Sequence, residues 1–204
     1  SPNQAVRYKA WQVLVNRANA AEPALEALAT DENPRIRARA LWALAQRQHQ
    51  SLRAIELARS DRDANLRVVA IRIARQHKAR VLETIESLLD DPAWAVRSEC
   101  AIALRDVASA EGDQLWARLA ASYKEGDRWL LEALGIAAEG RWNERLGAWY
   151  RLVAVDESNR AHHDIIWRSR ADQTPKDLTR LLTSSRSPDD SPLRYLRALQ
   201  LQPE

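Results

Sequence analysis

One block of sequence recurs in this chain with unchanged spacing. Each copy has an aspartate, an arginine six residues later, and a small residue three positions beyond the arginine. The copies occupy residues 31–40, 61–70 and 91–100, so that their arginines lie 30 residues apart. A fixed period of about 30 residues is typical of stacked helical repeats, in which each unit contacts only its neighbours.

A second apolar segment with the same period lies between the blocks. Leu25, Ile55 and Ile85 are equivalent positions, and another small or aliphatic residue follows each of them at i+3. That spacing gives one apolar stripe on a helix. The sequence therefore predicts an all-α, right-handed superhelix of helical hairpins, with regular repeats over residues 1–140 and divergent helical repeats of the same solenoid over residues 141–204.

The recurring block resembles the HEAT repeat. In that family the aspartate and the arginine form a ladder of hydrogen bonds through the stack. The resemblance assigns this structural ladder to six residues: Asp31, Arg37, Asp61, Arg67, Asp91 and Arg97. Binding of phosphate by the three arginines is the less favoured alternative.

Several local features are also predicted. Helix 4–17 should face inward through Val6, Ala10, Val13 and Leu14, and Glu22-Pro23 should open the next helix. Glu111-Gly112-Asp113 should break the chain before helix 113–123. A polar loop is expected over Ser184 to Ser191.

Composition limits the possible functions. The chain has 31 basic and 28 acidic residues, a net charge of +3, which is not the footprint of a nucleic-acid-binding protein. Cys100 is the single cysteine, so no intrachain disulfide can form, and a packed thiol is expected. No apolar run approaches the ~20 residues needed to cross a bilayer. The chain opens on Ser-Pro, and we expect it to be a piece of a longer protein.

Three stretches resemble a more particular family. Residues 126–138, 164–170 and 194–199 are similar to the helical middle region of the PVC-type haem-binding CxxCH proteins, which are large exported proteins described as membrane-bound dehydrogenase-like. The resemblance implies a periplasmic or other extracytoplasmic location and a c-type haem. Because Cys-x-x-Cys-His is missing from this sequence, the haem is expected elsewhere in the parent and no cofactor is expected in this stretch. Leu196, Leu199 and Leu201 depart from the aromatic residues expected in the last motif.

The exposed ridge of the second helices is the candidate interaction face. It comprises Arg35, Arg39, Trp42, Val68, Arg72, Ile102 and Trp129. Apolar residues with arginines at the edge are typical of the centre of a protein interface. Packing within the repeats is an equally weighted role for Trp42. The sequence thus favours a non-catalytic scaffold with a protein partner, either flanking domains of the parent or another protein.

The enzyme alternatives are less favoured. In a HEAT-like DNA glycosylase, Arg39, Arg72, Arg75 and Trp42 would contact the phosphate backbone, and Trp129 with Glu132 would form a base pocket. A metal-dependent hydroxylase would need metal ligands, but the adjacent His162-His163 point about 100° apart on a helix and cannot chelate together.

One further basic cluster has two interpretations. Arg168 and Arg170 would either clamp an anionic group or pair with Asp164 and Asp172. Intramolecular pairing is favoured for such a mixed-charge cluster.

Overall fold

The computed structural model describes residues 3–16, 18–47, 49–156, 158–184 and 192–202. Within these ranges the regular structure is helical and includes no strand. The predicted all-α fold of helical hairpins is therefore confirmed. The helices found there are all too short or too polar to span a membrane.

The chain forms two compact units, residues 1–99 and 100–204, and the division falls within α7. The helices that begin in the first unit are α1 (Gln4–Asn16), α2 (Ala18–Leu28), α3 (Pro34–Ala45), α4 (Ser51–Arg59), α5 (Ala64–His77), α6 (Val81–Leu88) and α7 (Trp94–Ala103). Helix α7 ends at Ala103, because a 3-10 turn follows it over Leu104–Asp106.

Short polar residues set the start of the second helix in two hairpins of the first unit. The side-chain oxygen of Asn33 accepts a hydrogen bond from the amide of Arg35 (3.0 Å), and that of Asp63 accepts one from Asn65 (2.8 Å). Each satisfies an amide that has no acceptor within its own helix. Pro34 occupies the first helical position, where its missing amide is not needed.

The apolar stripes of α2 to α5 meet in one core, and Val81 at the start of α6 packs against it. The most deeply buried members of this core recur with the 30-residue period and include Leu25, Leu44, Ile55, Ala58, Leu66, Ala70 and Ile73. Burial of such side chains contributes about 1.5–3 kcal/mol each for the larger ones. The core therefore follows the 30-residue period.

Helix α1 does not enter this core as predicted. Val6, Val13 and Leu14 are 51%, 50% and 38% exposed, and α1 contains no buried residue. An open cleft separates part of α1 from the α2–α3 hairpin. Ala10 and Leu14 line this cleft and so lie on the side toward α2 and α3, but none of the four residues predicted to face inward is buried, because the cleft leaves that side of α1 open.

Helix α2 begins earlier than the sequence predicts. It starts at Ala18 and carries Pro23 in its interior. The proline removes a single amide donor. Glu22 beside it is held by the side chains of Arg47 and Gln50, and these bonds fix the longer helix in place.

Helix α8 also begins before the expected break at residues 111–113. It starts at Ala110, and the hydroxyl of Ser109 accepts a hydrogen bond from the amide of Gly112 (3.2 Å). A Cβ on Gly112 would lie 2.7 Å from Cγ1 of Val107. The glycine therefore allows the close approach of the preceding loop and does not break the helix.

The second unit continues as helical hairpins although the strict sequence period has ended. Its further helices are α8 (Ala110–Ala121), α9 (Arg128–Ala138), α10 (Trp142–Leu152), α11 (Arg160–Arg168), α12 (Thr174–Ser184) and α13 (Pro192–Gln200). Residues 185–191 of the predicted polar loop lie outside the described residues.

Four side-chain hydrogen bonds in this unit join residues 27–30 positions apart. The bonded pairs are Asp113 with Arg141, Asn143 with Asp172, Tyr150 with Asp177, and Asp164 with Arg194. A spacing near 30 residues thus persists in these contacts, although the residue types of the second unit no longer repeat with that period.

Arg145 is the most buried charged residue of the second unit, with 0% exposure. Its guanidinium donates to the carbonyl oxygens of Leu104 (2.5 Å) and Ala137, and Asp113 lies 3.5 Å from its Nε. Both carbonyls belong to helix ends, where acceptors lack amide partners. Burial lowers the pKa of Arg145, and the nearby Asp113 carboxylate opposes that effect.

Candidate functional site

The ladder arginines connect successive repeats of the first unit. Arg37 donates from Nε and Nη2 to the two carboxylate oxygens of Asp61, each at 2.8 Å. Its Nη1 donates to the carbonyl oxygens of Asp31 (2.8 Å) and Glu32 (3.0 Å). The one side chain therefore ties its own loop to the loop of the next repeat.

Arg67 repeats the arrangement one period later. Its Nε and Nη2 donate to the carboxylate of Asp91 at 2.5 and 2.8 Å, and its Nη1 donates to the carbonyl oxygens of Asp61 (2.9 Å) and Arg62 (3.2 Å). The spacing within the block suggests Asp61 of the same repeat as the partner of Arg67. The carboxylate comes instead from the following repeat, because the loop that contains Asp61 presents only its carbonyls to Arg67.

The ladder changes at its last member. Arg97 donates from Nη1 to the carbonyl oxygens of Asp91 (2.8 Å) and Pro92 (3.2 Å). The period would place the next aspartate at position 121, where the sequence has Ala121. Asp31, at the other end, accepts a hydrogen bond from the amide of Asn33 (2.8 Å).

The ladder carboxylates are stabilised in their charged form. Burial by itself would raise the pKa of Asp61, but hydrogen bonds from Arg37 and from the amide of Asp63 outweigh it and the net pKa is lowered. The pKa of Asp91 is lowered in the same way by Arg67 and the amide of Ala93. Since the arginines use their donors on these internal acceptors, phosphate binding by the ladder has no support.

The candidate face in the first unit is only partly accessible. Arg35 and Arg39 are exposed, whereas Trp42 is half-buried against the core and Val68 is 9% exposed. Val68 is therefore a packing residue. Part of the Trp42 ring packs against the core and part is accessible, which is compatible with either role that the sequence left open.

The acid Glu99 offsets the positive charge of this face. Arg72 donates to Glu99 at 2.7 Å, and Arg75 lies 3.8 Å from the same carboxylate. Glu99 is itself 7% exposed. Two of the arginines expected to contact DNA phosphates thus share an internal acid, which weakens the basic footprint that such binding needs.

Helix α9 of the second unit presents its accessible residues as one stripe. Trp129, Glu132 and Ile136 follow each other at i, i+3 and i+7 on the same helical side. Trp129 is 68% exposed and Ile136 is 39% exposed. Ile102, the other predicted member in this unit, is half-buried.

Arg168 of α11 completes this surface. Its Nε donates to Glu132 at 3.3 Å, and its Cζ lies 2.2 Å from the position that a Cβ on Gly135 would occupy. The guanidinium therefore lies directly on the α9 backbone where the glycine leaves room. We define the α9 face as Trp129, Glu132, Ile136 and Arg168.

The expected partners of the basic cluster differ in the structure. Arg168 pairs with Glu132, and Arg170 donates to backbone carbonyl oxygens at the end of α11, including Ser169 at 2.6 Å. Both favoured pairings, with Asp164 and Asp172, are wrong. Those acids are occupied by residues distant in sequence, which local charge patterns do not reveal.

Asp164 connects α11 to α13 instead. It accepts hydrogen bonds from the hydroxyl of Tyr123 (2.7 Å) and from Arg194. The Arg194 guanidinium also lies 4.6 Å from the ring centre of Trp167, in cation–π contact. The three stretches that resemble the PVC-type proteins lie on α9, α11 and α13. Contacts of α11 thus connect these three helices.

Potential metal ligands are not clustered in the described ranges: no three His, Cys, Asp or Glu side chains there are grouped to hold a metal ion. Cys100 is buried. His162 accepts a hydrogen bond from the amide of Asp156 (3.0 Å), and His163 lies 3.0 Å from the hydroxyl of Tyr195. These histidines have structural roles in the second unit.

Part of the chain is similar to a known protein family. Residues 1–57 match the family model for HEAT repeats. Searches of curated proteins and of solved structures find no match. The fold is that of an all-α protein of helical hairpins, and its residues 1–57 are similar to HEAT repeats, which generally serve as scaffolds or interaction modules.

Proposed function

We propose that the chain is a non-catalytic repeat scaffold that binds a protein partner through the α9 face. The observation that carries the proposal is the exposure of Trp129 beside Ile136, with Arg168 fixed between Glu132 and Gly135. Tryptophan and arginine are the residue types most enriched among binding hot spots.

The packing behind the α9 face also favours binding. Leu130, Ala133, Leu134 and Ala137 bury the opposite side of α9, so the accessible stripe rests on a packed helix. A surface that is already ordered loses less conformational entropy when a partner binds. The ordered α9 face is therefore better suited to protein recognition than a loosely packed surface would be.

A more specific proposal concerns the whole protein. The likeness of α9, α11 and α13 to the PVC-type haem-binding proteins supports an origin in a larger exported, haem-containing dehydrogenase-like protein, outside the cytoplasm. The partner would then be a flanking domain of the same parent. A pyridine haemochrome spectrum of the purified full-length parent should show a c-type band, and a parent without haem would exclude this origin.

Site-specific cross-linking tests the interaction. A photo-reactive benzoylphenylalanine at position 129 of the full-length protein, irradiated in the producing cells, should give one dominant cross-link to a protein segment. The same probe at Lys176, an exposed position on α12 outside the α9 face, is the matched control.

The outcomes separate the candidate functions. A cross-link from position 129 that is missing from position 176 supports the proposal. Equal labelling from both positions, or no protein cross-link at position 129, contradicts it. A dominant cross-link to DNA would favour the nucleic-acid alternative, for which Trp129 and Glu132 would act at a flipped base.

A further inference from the structure

The α9 face continues across α11 to α13. Arg168 of α11 lies on α9, where it donates to Glu132 at 3.3 Å. On the other flank of α11, Arg194 of α13 donates to Asp164 and lies over the ring of Trp167. One arginine on each flank of α11 therefore joins the α9 face to α13 in a continuous surface.

Helix α13 presents an accessible stripe of its own on this surface. Leu193 and Arg197 lie at i and i+4, so they share one side of the helix, and both are exposed. Tyr195 and Ala198 bury the other side of α13. We define the α13 stripe as Leu193 and Arg197; Arg194 lies between it and α11.

The helices of this surface carry an excess of positive charge. Helices α9, α11 and α13 contain five arginines and two acidic residues, whereas α8, α10 and α12 contain five basic and four acidic residues. Of the two acids, Asp164 is buried, and Glu132 is half-buried beside Arg168. Among these six helices, the basic excess is therefore concentrated in the three that form the surface, and it attracts a partner of opposite charge.

Two arginines of the surface are available to such a partner. Arg128, next to Trp129, and Arg197 have exposed side chains, and neither guanidinium pairs with another residue in the described part of the chain. Arginine binds a carboxylate with charge-assisted hydrogen bonds, often through two parallel N–H groups. An acidic side chain on a partner would therefore gain a contact here without breaking one that already exists.

The apolar residues of the surface favour a protein over a nucleic acid. Ile136 and Leu193 are aliphatic, and they are 39% and 62% exposed. Apolar side chains of a partner protein can pack on such groups, whereas a phosphate backbone cannot. Glu132 would also repel phosphates, and the small basic excess would neutralise few of them.

The width of the surface fits a short segment of chain. Helix α11 contacts both α9 and α13. Since packed helices are about 8–10 Å apart, α9 and α13 are separated by roughly 16–20 Å. An extended segment of about six residues covers that distance.

We propose that the α9 face and the α13 stripe together bind an acidic segment of the protein partner. Apolar side chains of the segment pack on Trp129 and Ile136, and its carboxylates pair with Arg128 and Arg197. This inference rests on the proposed scaffold function and adds the chemistry of the partner.

The test begins with the cross-link from benzoylphenylalanine at position 129 of the full-length protein. Mass spectrometry identifies the partner segment that carries the cross-link. Within about six residues on either side of the cross-linked position, we expect aspartate and glutamate to exceed lysine and arginine by about two or more, which matches the two available arginines.

A fluorescent peptide with the sequence of that segment is then titrated with the full chain, and its anisotropy is measured at about 50 mM salt, where exposed charges are weakly screened. Arg197→Glu should weaken binding about tenfold, and Arg197→Lys, which keeps the charge, should change it by no more than about twofold. Arg151→Glu makes the same charge reversal at an exposed position of α10 and should leave the affinity unchanged.

The outcomes distinguish this inference from the scaffold function. A neutral or basic cross-linked segment, or equal effects of Arg197→Glu and Arg151→Glu, would overturn the acidic partner while the protein cross-link still supported the scaffold. A dominant cross-link to DNA, or no protein cross-link at position 129, would overturn both.

Discussion

Arg67 donates four hydrogen bonds, two to the carboxylate of Asp91 and two to backbone carbonyls of its own loop. Arg67→Ala should therefore lower the free energy of unfolding by about 1–3 kcal/mol, since it leaves these acceptors without donors. Urea unfolding at neutral pH, followed by circular dichroism, measures the change.

Arg62→Ala is the matched control for Arg67→Ala. Arg62 lies in the same loop, its side chain is exposed, and its carbonyl is the group that Arg67 contacts. The control should change stability by no more than about 0.5 kcal/mol. A loss of the same size in both variants would show that the ladder has no special role.

Gly135 and Arg168 are predicted to be coupled. An ordinary Gly→Ala change in a helix stabilises by about 1 kcal/mol, but here the new Cβ would displace the guanidinium of Arg168. Gly135→Ala should therefore gain less stability in the wild-type background than in Arg168→Ala. A double-mutant cycle by thermal unfolding measures the difference, and additive changes would exclude the contact.

Residue identities in the ladder were predictable, but their pairing was not. The period and the family resemblance picked out Asp61 and Arg67, whereas only the fold shows that Arg67 reaches Asp91. Gly135 stands out only weakly in the sequence, as a glycine inside a helix. Its partner lies 33 positions away, at Arg168, and no local pattern connects the two.

At the scale of elements, Arg145 joins the ends of two helical segments in the second unit. Arg145→Met keeps most of the side-chain volume but leaves the carbonyls of Leu104 and Ala137 without this donor. We expect a loss of at least about 2 kcal/mol in the free energy of unfolding. Arg151→Met, an exposed change on the same helix α10, should cost no more than about 0.5 kcal/mol; equal effects would contradict this role.

The connection between repeats in the first unit should depend on pH. The ordinary pKa of 3.8 is lowered for both Asp61 and Asp91 in the folded state. Their contribution is therefore complete above about pH 4 and is lost as the pH falls through the lower folded values. Urea unfolding at about pH 5 and pH 2.5 should show a smaller pH-dependent loss in an Asp61→Asn, Asp91→Asn double variant than in the wild type. An identical loss would exclude these two acids as its source.

Element boundaries were predicted best where a cap and the period agreed. The start of α3 shows this, because the asparagine of Asn33-Pro34 can cap the helix and the proline suits its first position. Pro23 and Gly112 were expected at a helix start and at a helix break, but each lies inside a helix. The contacts that explain this come from other segments. Arg47 and Gln50 hold the residue beside Pro23, and Val107 packs against Gly112.

At the scale of the whole molecule, periodicity was sufficient to predict the all-α class but not the accessible surface. The spacing of apolar residues gives the hairpin, whereas exposure depends on how far each helix is covered. Val68 and Trp129 were predicted as members of one face, yet one is 9% and the other 68% exposed. The proposed function consequently rests on the α9 face more than on the first unit.

The affinity for the partner identified by cross-linking tests this account most directly. Titration calorimetry should compare the wild type with Trp129→Ala and with Trp94→Ala, a control tryptophan that is 54% exposed at the start of α7. The account predicts at least a tenfold weaker affinity for Trp129→Ala, about 1.4 kcal/mol or more, and little change for Trp94→Ala. Unchanged affinity in Trp129→Ala, or an equal loss in both variants, would contradict it.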